Sequence, residues 1–194
     1  MRYILASGSP RRKELLGKVV KDFEIIPAES EEMPKEAEPS AIVEELSLQK
    51  ASEIFHKILT DSTDRIVVIG ADTVVSYNHR VLGKPKDRED AKRMLLELQG
   101  KPHEVCTGVT VFYNTDGETR HFTFHEETKV FVEAMTQEEI DSYVQTGEPD
   151  DKAGAYGVQG LFAIHIKGIE GDYYNVVGLP VARLYKELKN KELL

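Results

Sequence analysis

The sequence has 194 residues, of which 40% are hydrophobic and 30% are charged, and its formal net charge is −9. This composition is that of an ordinary globular protein with one sizeable core. The negative charge argues against a protein that binds duplex DNA or anionic membranes without specificity, so an anionic ligand needs a local cluster of basic side chains. Cys106 is the single cysteine, which excludes a disulfide framework, and we expect it to be buried in a strand. The N-terminal residues lack the pattern of a signal peptide and no apolar run reaches membrane length, so we expect a cytoplasmic protein.

The N-terminal segment is predicted to join a strand to a helix. Residues 3–6 have the composition of a short buried strand, and Ser9 is the predicted N-cap of a helix over residues 10–16. The turn between them would present backbone N–H groups beside the positive end of the helix, and Arg11 and Arg12 add two permanent charges. The segment indicates a phosphate site, although an ordinary strand-to-helix connection with solvated arginines has the same pattern.

The next elements are a second strand over residues 23–27, an acidic loop over residues 29–32 and a long helix over residues 39–59. Lys50 falls on the apolar face of this helix. Its side chain either extends from the edge of that face to water or points inward at an anion.

Asp72 interrupts a nearly continuous β-branched run over residues 65–75, which is typical of a strand buried on both faces. An ionised carboxylate in such a place costs several kcal/mol, roughly, unless it is paired or bound to a metal. A functional role is favoured over a structural ion pair or a capping role.

A hairpin is predicted to follow, with Asn78 and His79 at the centre of its turn. If the pairing continues without interruption, Lys84 lies opposite Thr73 and beside Asp72. This register would bring an acid and a base together in a buried strand.

Later elements are predicted from caps, alternation and turns. They are a helix from Asp87 to Gly100, strands over residues 105–113 and 121–132, a capping-box helix from Thr136 to Gly147, a strand over residues 161–166, a last helix from Pro180, and a frayed tail over residues 189–194.

A glycine-rich segment over residues 151–160 precedes the predicted last strand. Glycines bring a backbone close to a ligand, but they also simply permit turns. Tyr156 offers a stacking face, and Gln159 offers an amide that can read the edge of a base. The sequence contains no P-loop and no dinucleotide-binding fingerprint. The acidic loop, Asp72 and the separate basic residues instead indicate metal-assisted phosphoryl chemistry.

The sequence resembles the Maf nucleotide pyrophosphatases from nearly one end to the other. The matching segments are residues 6–12, 31–32, 50–51, 70–75, 83–85, 103–108, 151–160 and 173–180. One departure is Glu31-Glu32, where the family usually has Asp-Glu, and we expect Glu32 to keep its role.

The resemblance implies an α/β fold of the ITPase-like type. We expect an elongated mixed sheet flanked by helices, with two lobes around a central cleft, formed by residues 1–194 as a single domain. The family usually forms homodimers and hydrolyses nucleoside triphosphates to the monophosphate and pyrophosphate with a divalent metal. We expect Mg²⁺, with Mn²⁺ as an alternative, and neither a membrane nor a nucleic acid as partner.

The resemblance also implies roles for individual residues. Asp72 corresponds to the proton acceptor of the family, and three positions that separate substrate classes have the identities of the dTTP and UTP branch: Arg11, Thr73 and Gln159. Combined with the patterns above, the resemblance suggests a triphosphate site made of Ser7, Arg12, Lys50 and Lys84. Lys84 is counted among the catalytic residues with Asp72 and Glu32, and these two carboxylates are the expected metal ligands.

Four alternatives stay open from the sequence. The same chemistry could act on modified nucleotides, or on 7-methyl-GTP, which the residues at positions 11 and 159 disfavour. A non-catalytic regulator of cell division that binds nucleotides is a different class, as is a nucleic-acid-binding module, which the net charge of −9 disfavours.

Overall fold

A seven-stranded mixed sheet forms the centre of the protein. The computed structural model describes residues 1–29, 38–59, 65–115 and 117–194. In these ranges the strands are β1 (Arg2–Leu5), β2 (Glu24–Ile25), β3 (Ile66–Tyr77), β4 (Arg80–Leu82), β5 (Pro102–Thr115), β6 (Glu118–Val132) and β7 (Ile166–Glu170). The α-helices are α1 (Pro10–Leu16), α2 (Pro39–Ile58), α3 (Arg88–Leu98), α4 (Gln137–Gln145), α5 (Tyr173–Val177) and α6 (Val181–Asn190). Among these described helices, none is long and apolar enough to cross a membrane.

The strand order is β2-β1-β3-β5-β6-β7, and β4 pairs with β3 beside this path. β1 runs parallel to β2 and β3, whereas β4, β5, β6 and β7 form antiparallel pairs. Three long strands of 12, 14 and 15 residues, β3, β5 and β6, give the sheet its elongated shape. The predicted elongated mixed sheet with flanking helices is confirmed.

Helices cover both faces of β3, because successive side chains of a strand point to opposite faces. Val67 and Ile69 pack in a core with side chains of α1 and α6, and Val68 packs in another core with α2. This arrangement confirms the predicted strand that is buried on both faces. Cys106 of β5 is also buried as expected, and burial raises the pKa of its thiol to about 12.

Helix α2 lies unusually close to the sheet because glycines face it. A Cβ added to Gly108 of β5 would lie 2.2 Å from the carbonyl oxygen of Val43, and one added to Gly70 of β3 would lie 2.6 Å from that of Ser47. Real Cβ atoms do not approach other atoms so closely. The two glycines therefore allow α2 to rest directly on the strand that carries Asp72.

The local turn and cap predictions are confirmed. Asn78 and His79 have φ angles of 50° and 59°, as a tight hairpin turn with two left-handed central residues requires. Ser9 caps α1 by accepting a hydrogen bond from the backbone N–H of Arg12, and Thr136 begins α4 with a complete capping box. Strands β5 and β6 extend further towards their shared hairpin than predicted.

One predicted segment is wrong, and one element was missed. Residues 161–166 are not a strand, because Leu161–His165 forms a 3₁₀ helix before β7. Its buried residues, Phe162 and His165, are three positions apart, which is the period of a 3₁₀ helix and not the alternation of a strand. The short helix α5 was not predicted as an element.

The C-terminal tail also differs from its prediction, because it does not fray. Leu193 is fully buried in the core that contains Val67, and its N–H donates to the carbonyl of Leu188 at the end of α6. Its own carbonyl accepts a hydrogen bond from the Tyr3 hydroxyl. An apolar side chain beyond the last helical turn thus anchors the tail on β1.

His103 lies in the core beneath the segment that follows α4. Its Nε2 and the Tyr156 hydroxyl oxygen are 2.8 Å apart, and its Nδ1 has no hydrogen-bond partner among the described residues. Burial lowers the pKa of His103 to about 4. Desolvation therefore keeps the imidazole neutral in the folded protein at pH values where an exposed histidine carries a proton.

We predict that His103 makes the fold sensitive to mild acid. Between pH 6.5 and about 4 the unfolded chain holds more protons at this position than the folded protein. The free energy of unfolding contributed by His103 is therefore fully present above pH 6.5 and decreases by up to about 3 kcal/mol as the pH falls to 4. Urea unfolding at several pH values should give a smaller acid-dependent decrease for His103→Gln than for the wild type.

A wild-type pH slope equal to that of His103→Gln would contradict this prediction. His121→Gln is the matched control, because this histidine is exposed. It should retain the wild-type slope.

Candidate active site

The cleft begins where one edge of β3 has no neighbouring strand. β1 pairs with this edge only as far as Ile69, and β4 pairs with it only from Val75 onwards. Among the described strands, none covers the edge over residues 70–74. Asp72 and Thr73 lie in this interval, and a cleft of about 870 Å³ opens beside them.

The residues that line the cleft carry more positive than negative charge. Its walls come from the β1–α1 turn, α2, β3, the segment after β4, the glycine-rich segment and the end of α5. The described charged residues of the lining are the basic Arg11, Arg12, Lys50, Lys84 and Lys152 and the acidic Asp72 and Asp151. The local basic cluster that an anionic ligand needs is therefore present in a chain whose net charge is −9.

Lys50 points into the cleft and pairs with Asp72. Its Nζ lies 2.6 Å from Asp72 Oδ1, and the two side chains are only 14% and 10% exposed. Of the two orientations that the sequence left open for Lys50, the structure has the inward one, because the close packing at Gly70 and Gly108 brings α2 against the strand. The ammonium group of Lys50 compensates the negative charge of the buried Asp72 carboxylate, which reduces the cost of burying that charge.

The predicted pairing of Lys84 with Asp72 is wrong. β4 ends at Leu82, so the ladder does not continue as far as Lys84 and Thr73. The carbonyl of Gly83 instead accepts a hydrogen bond from the N–H of Gly154. Lys84 is exposed at the cleft, and it forms no ion pair with any residue that the structure describes.

Arg12 joins three parts of the site. Its Nε donates to the carbonyl of Gly178 at 2.9 Å, Nη1 donates to Ser7 Oγ at 3.2 Å and Nη2 donates to Thr73 Oγ1 at 3.0 Å. Thr73 follows Asp72 in the strand, so the two side chains point to opposite faces of the sheet. Arg12 and Lys50 therefore flank the open edge of β3 from its two faces.

The three positions that were expected to separate substrate classes all line the cleft. Arg11 Nη1 lies 3.7 Å from Asp151 Oδ2, so this pair connects α1 with the glycine-rich segment. Gln159 is exposed in the same segment, whereas Thr73 is bonded to Arg12. The structure thus places these residues around one cleft without bringing them into one cluster.

The glycines of residues 151–160 let this segment pack closely against neighbouring residues of the protein. Gly154 has a φ of 67°, and a Cβ there would lie 2.9 Å from Val75. A Cβ on Gly160 would overlap the carboxylate of Glu148. Tyr156 is among the residues that line the cleft, but it is buried and its hydroxyl is bonded to His103, so it does not offer the open stacking face that was predicted. Its ring anchors the segment in the core.

The second predicted metal ligand, Glu32, lies outside the described residues, and so does most of the acidic loop. Among the described residues, no group of three or more histidine, cysteine or acidic side chains is placed to bind a metal. Asp72 remains a hard oxygen donor at the floor of the cleft. Sequence reasoning did not assign a role to Thr107, a buried polar residue of β5 that contacts Thr73 at 2.9 Å.

Known proteins resemble this chain over nearly its whole length. The family described as Maf-like protein matches residues 2–191. A protein of Agathobacter rectalis named dTTP/UTP pyrophosphatase is 57% identical over 96% of this chain and 95% of its own length. Relatives with the same name from Bacillus cytotoxicus and a Thermoanaerobacter species are 50% and 46% identical, over 97% and 98% of this chain and 94% and 97% of their own lengths.

We predict that the Lys50–Asp72 pair is energetically coupled. Lys50→Met should lower the free energy of unfolding because it leaves a buried carboxylate without its partner. Adding Asp72→Asn should recover part of this loss, which gives a coupling energy of about 1–3 kcal/mol in a double-mutant cycle followed by urea unfolding. The more solvent-exposed pair of Lys92 and Asp141 is the control, and its coupling should be smaller than that of the buried pair. Equal coupling in the two pairs would contradict the prediction.

Proposed function

This chain belongs to the Maf family, and we propose that it hydrolyses dTTP and UTP to the nucleoside monophosphate and pyrophosphate. Relatives at 46–57% identity that span nearly the whole chain carry the name dTTP/UTP pyrophosphatase. The observation that carries the proposal is the cleft itself. It places a single strand-borne carboxylate, Asp72, against a lining rich in basic side chains, which suits water attack on a polyphosphate.

We assign Asp72 as the group that accepts the proton of the attacking water. Lys50 holds its Oδ1, and among the described residues no other side chain bonds the carboxylate. Oδ2 is therefore the oxygen that we assign to the water. As the water oxygen forms its bond to the α-phosphorus, Oδ2 takes up the proton and the bond from this phosphorus to the bridging oxygen breaks, which releases pyrophosphate.

Basic residues on both sides of the open strand edge stabilise the leaving group in this proposal. Arg12 and Ser7 contact the phosphates from the face of α1, and Lys50 from the face of α2. Lys84 is exposed beside them, which leaves its ammonium group free to approach a triphosphate. Fixed positive charge counts most where negative charge develops, which here is the departing pyrophosphate.

A divalent metal fits the donor set of the cleft. Magnesium binds through one or two carboxylates together with substrate phosphates, and Asp72 offers one hard oxygen donor of this kind. We propose Mg²⁺ as the ion and Asp72 with Glu32 as its protein ligands. When bound, the ion polarises the phosphate and neutralises part of its charge.

We propose that Arg11, Thr73 and Gln159 select the pyrimidine base. The amide of Gln159 has both donor and acceptor atoms, which suits the edge of a base. Arg11 comes from α1, and its partner Asp151 lies in the same glycine-rich segment as Gln159. Thr73 contacts the phosphate-binding Arg12 directly, since its hydroxyl accepts a hydrogen bond from this side chain.

The organisation of the protein is part of the proposal. We propose that residues 1–194 form one domain, which is supported by the family match over residues 2–191 and by a sheet that contains strands from both halves of the chain. We also propose a homodimer, which the family resemblance supports, and a cytoplasmic location. Light scattering of the purified protein tests the dimer.

A panel of nucleoside triphosphates tests the function. We expect pyrophosphate release that depends on Mg²⁺ and is fastest with dTTP and UTP, compared with 7-methyl-GTP, ITP and modified pyrimidine nucleotides. Fastest release from 7-methyl-GTP would overturn the roles of Arg11 and Gln159. Folded protein that binds nucleotides without releasing pyrophosphate would favour the non-catalytic regulator.

Asp72→Asn tests the assignment of the base. Asparagine is isosteric but cannot take up the proton, so kcat for dTTP should fall by about 10²–10⁴-fold. Circular dichroism and calorimetric binding of dTTP should show that the variant is folded and binds nucleotide. Asp141→Asn, on the distant helix α4, should keep wild-type turnover. Near-full turnover by folded Asp72→Asn would exclude this carboxylate as the proton acceptor.

A further inference from the structure

We infer that Thr107 is a positioning residue that fixes the Arg12 guanidinium group for polyphosphate binding by acting through Thr73. The inference rests on the proposed function, because that proposal assigns Arg12 to the phosphates. Thr107 is fully buried in β5 and does not line the cleft. Its effect on a ligand must therefore be indirect.

The direction of the hydrogen bonds follows from the donors and acceptors available. Thr107 Oγ1 donates to the carbonyl of Asn175 at 2.9 Å. A hydroxyl has one hydrogen, so in the 2.9 Å contact between the two threonine hydroxyls Thr73 must be the donor. Arginine can only donate, so Thr73 accepts from Arg12 Nη2. The result is a one-way chain from the guanidinium group through two hydroxyls to a carbonyl.

The fold holds Asn175, the last residue of this series of hydrogen bonds, in place. Asn175 is fully buried, and its Nδ2 donates to the carbonyl of Val105 and to Thr128 Oγ1, each at 2.9 Å. These two bonds hold α5 against β5 and β6. Gly178, directly after α5, supplies the carbonyl that accepts from Arg12 Nε. The central residue of α5 and the residue directly after this helix are thus tied to the same arginine, Asn175 through the threonines and Gly178 directly.

Strand register explains why a threonine is needed at this position. Thr73 and Thr107 are directly opposite each other in the β3–β5 pair, so their hydroxyls meet on the same face. The neighbouring pair, Asp72 and Gly108, faces α2 instead. Thr107 therefore lies on the Arg12 side of the open edge. Without its hydroxyl, the Thr73 hydroxyl loses its acceptor and can rotate away from the orientation that receives Arg12.

Thr107→Val is the direct test, because valine keeps the shape of threonine and removes the hydroxyl. We expect kcat/KM for dTTP to fall by about tenfold or more, since misplacement of a charge by a fraction of an ångström is costly in such sites. Thr107→Ser restores the hydroxyl and should return the value to within about threefold of wild type. Failure of serine to rescue would overturn the inference.

Thr110→Val is the matched control. Thr110 is fully buried in the same strand, but its hydroxyl contacts Ser47 and Thr123 away from the cleft. Its loss should lower stability without the tenfold kinetic effect. Equal kinetic losses in Thr107→Val and Thr110→Val would mean that Thr107 acts only through stability and would overturn the inference.

Coupling to Arg12 separates a positioning role from a general structural one. In an Arg12→Ala background, Thr107→Val should cause little further loss in kcat/KM, because the group that it positions is absent. An additional tenfold loss in this background would overturn the inference.

Binding of inorganic triphosphate, measured by calorimetry, keeps the test independent of turnover. Weaker binding by Thr107→Val than by the wild type supports the inference even if the wild type hydrolyses no nucleotide, in which case only the proposed function fails. Equal binding by the two proteins, or no binding by either, would overturn the inference, whatever the wild-type turnover.

Discussion

The interrupted edge of β3 is the constraint on which the site depends. A sheet edge normally needs a neighbouring strand or a cover, because its backbone groups otherwise stay unpaired. Here β1 and β4 each pair with one section of the same edge of β3, and none of the described strands neighbours residues 70–74 between these sections on that side. A strand that is open on one side but buried on both faces can present successive side chains above and below the same gap. Asp72 and Thr73 use it in this way.

Each of these two side chains recruits a different basic residue. Asp72 faces α2, which lies close enough for Lys50 to reach the carboxylate because Gly70 and Gly108 carry no side chains. Thr73 faces α1 and α5 and receives Arg12. Two cationic side chains are thereby held on opposite sides of one gap. This placement gives a strongly acidic chain a local site for an anion, since at short range fixed charges outweigh the net charge.

Features set by neighbouring residues could be predicted from the sequence, whereas several long-range contacts could not. The cap at Ser9, the turn at Asn78 and the buried strand around Asp72 all depend on residues close in sequence. The partner of Asp72 was predicted wrongly, because a local hairpin was extended past the point where β4 ends. The correct partner comes from α2, 22 residues earlier in the chain. Tyr156 was predicted to face the ligand, but its ring fills the core.

The sequence by itself determined the fold class, the order of most elements and several of the polar and charged residues that line the cleft. These follow from periodicity, caps and motif order, which are properties of short segments and of their resemblance to a family. Only the tertiary structure decided which charges meet and which polar side chains support them. Lys50 meets Asp72 because a helix rests on two glycines, and Arg12 is held by two threonines because two distant strands are in register. No local sequence pattern predicts either of these contacts, because each depends on how elements far apart in the chain pack together.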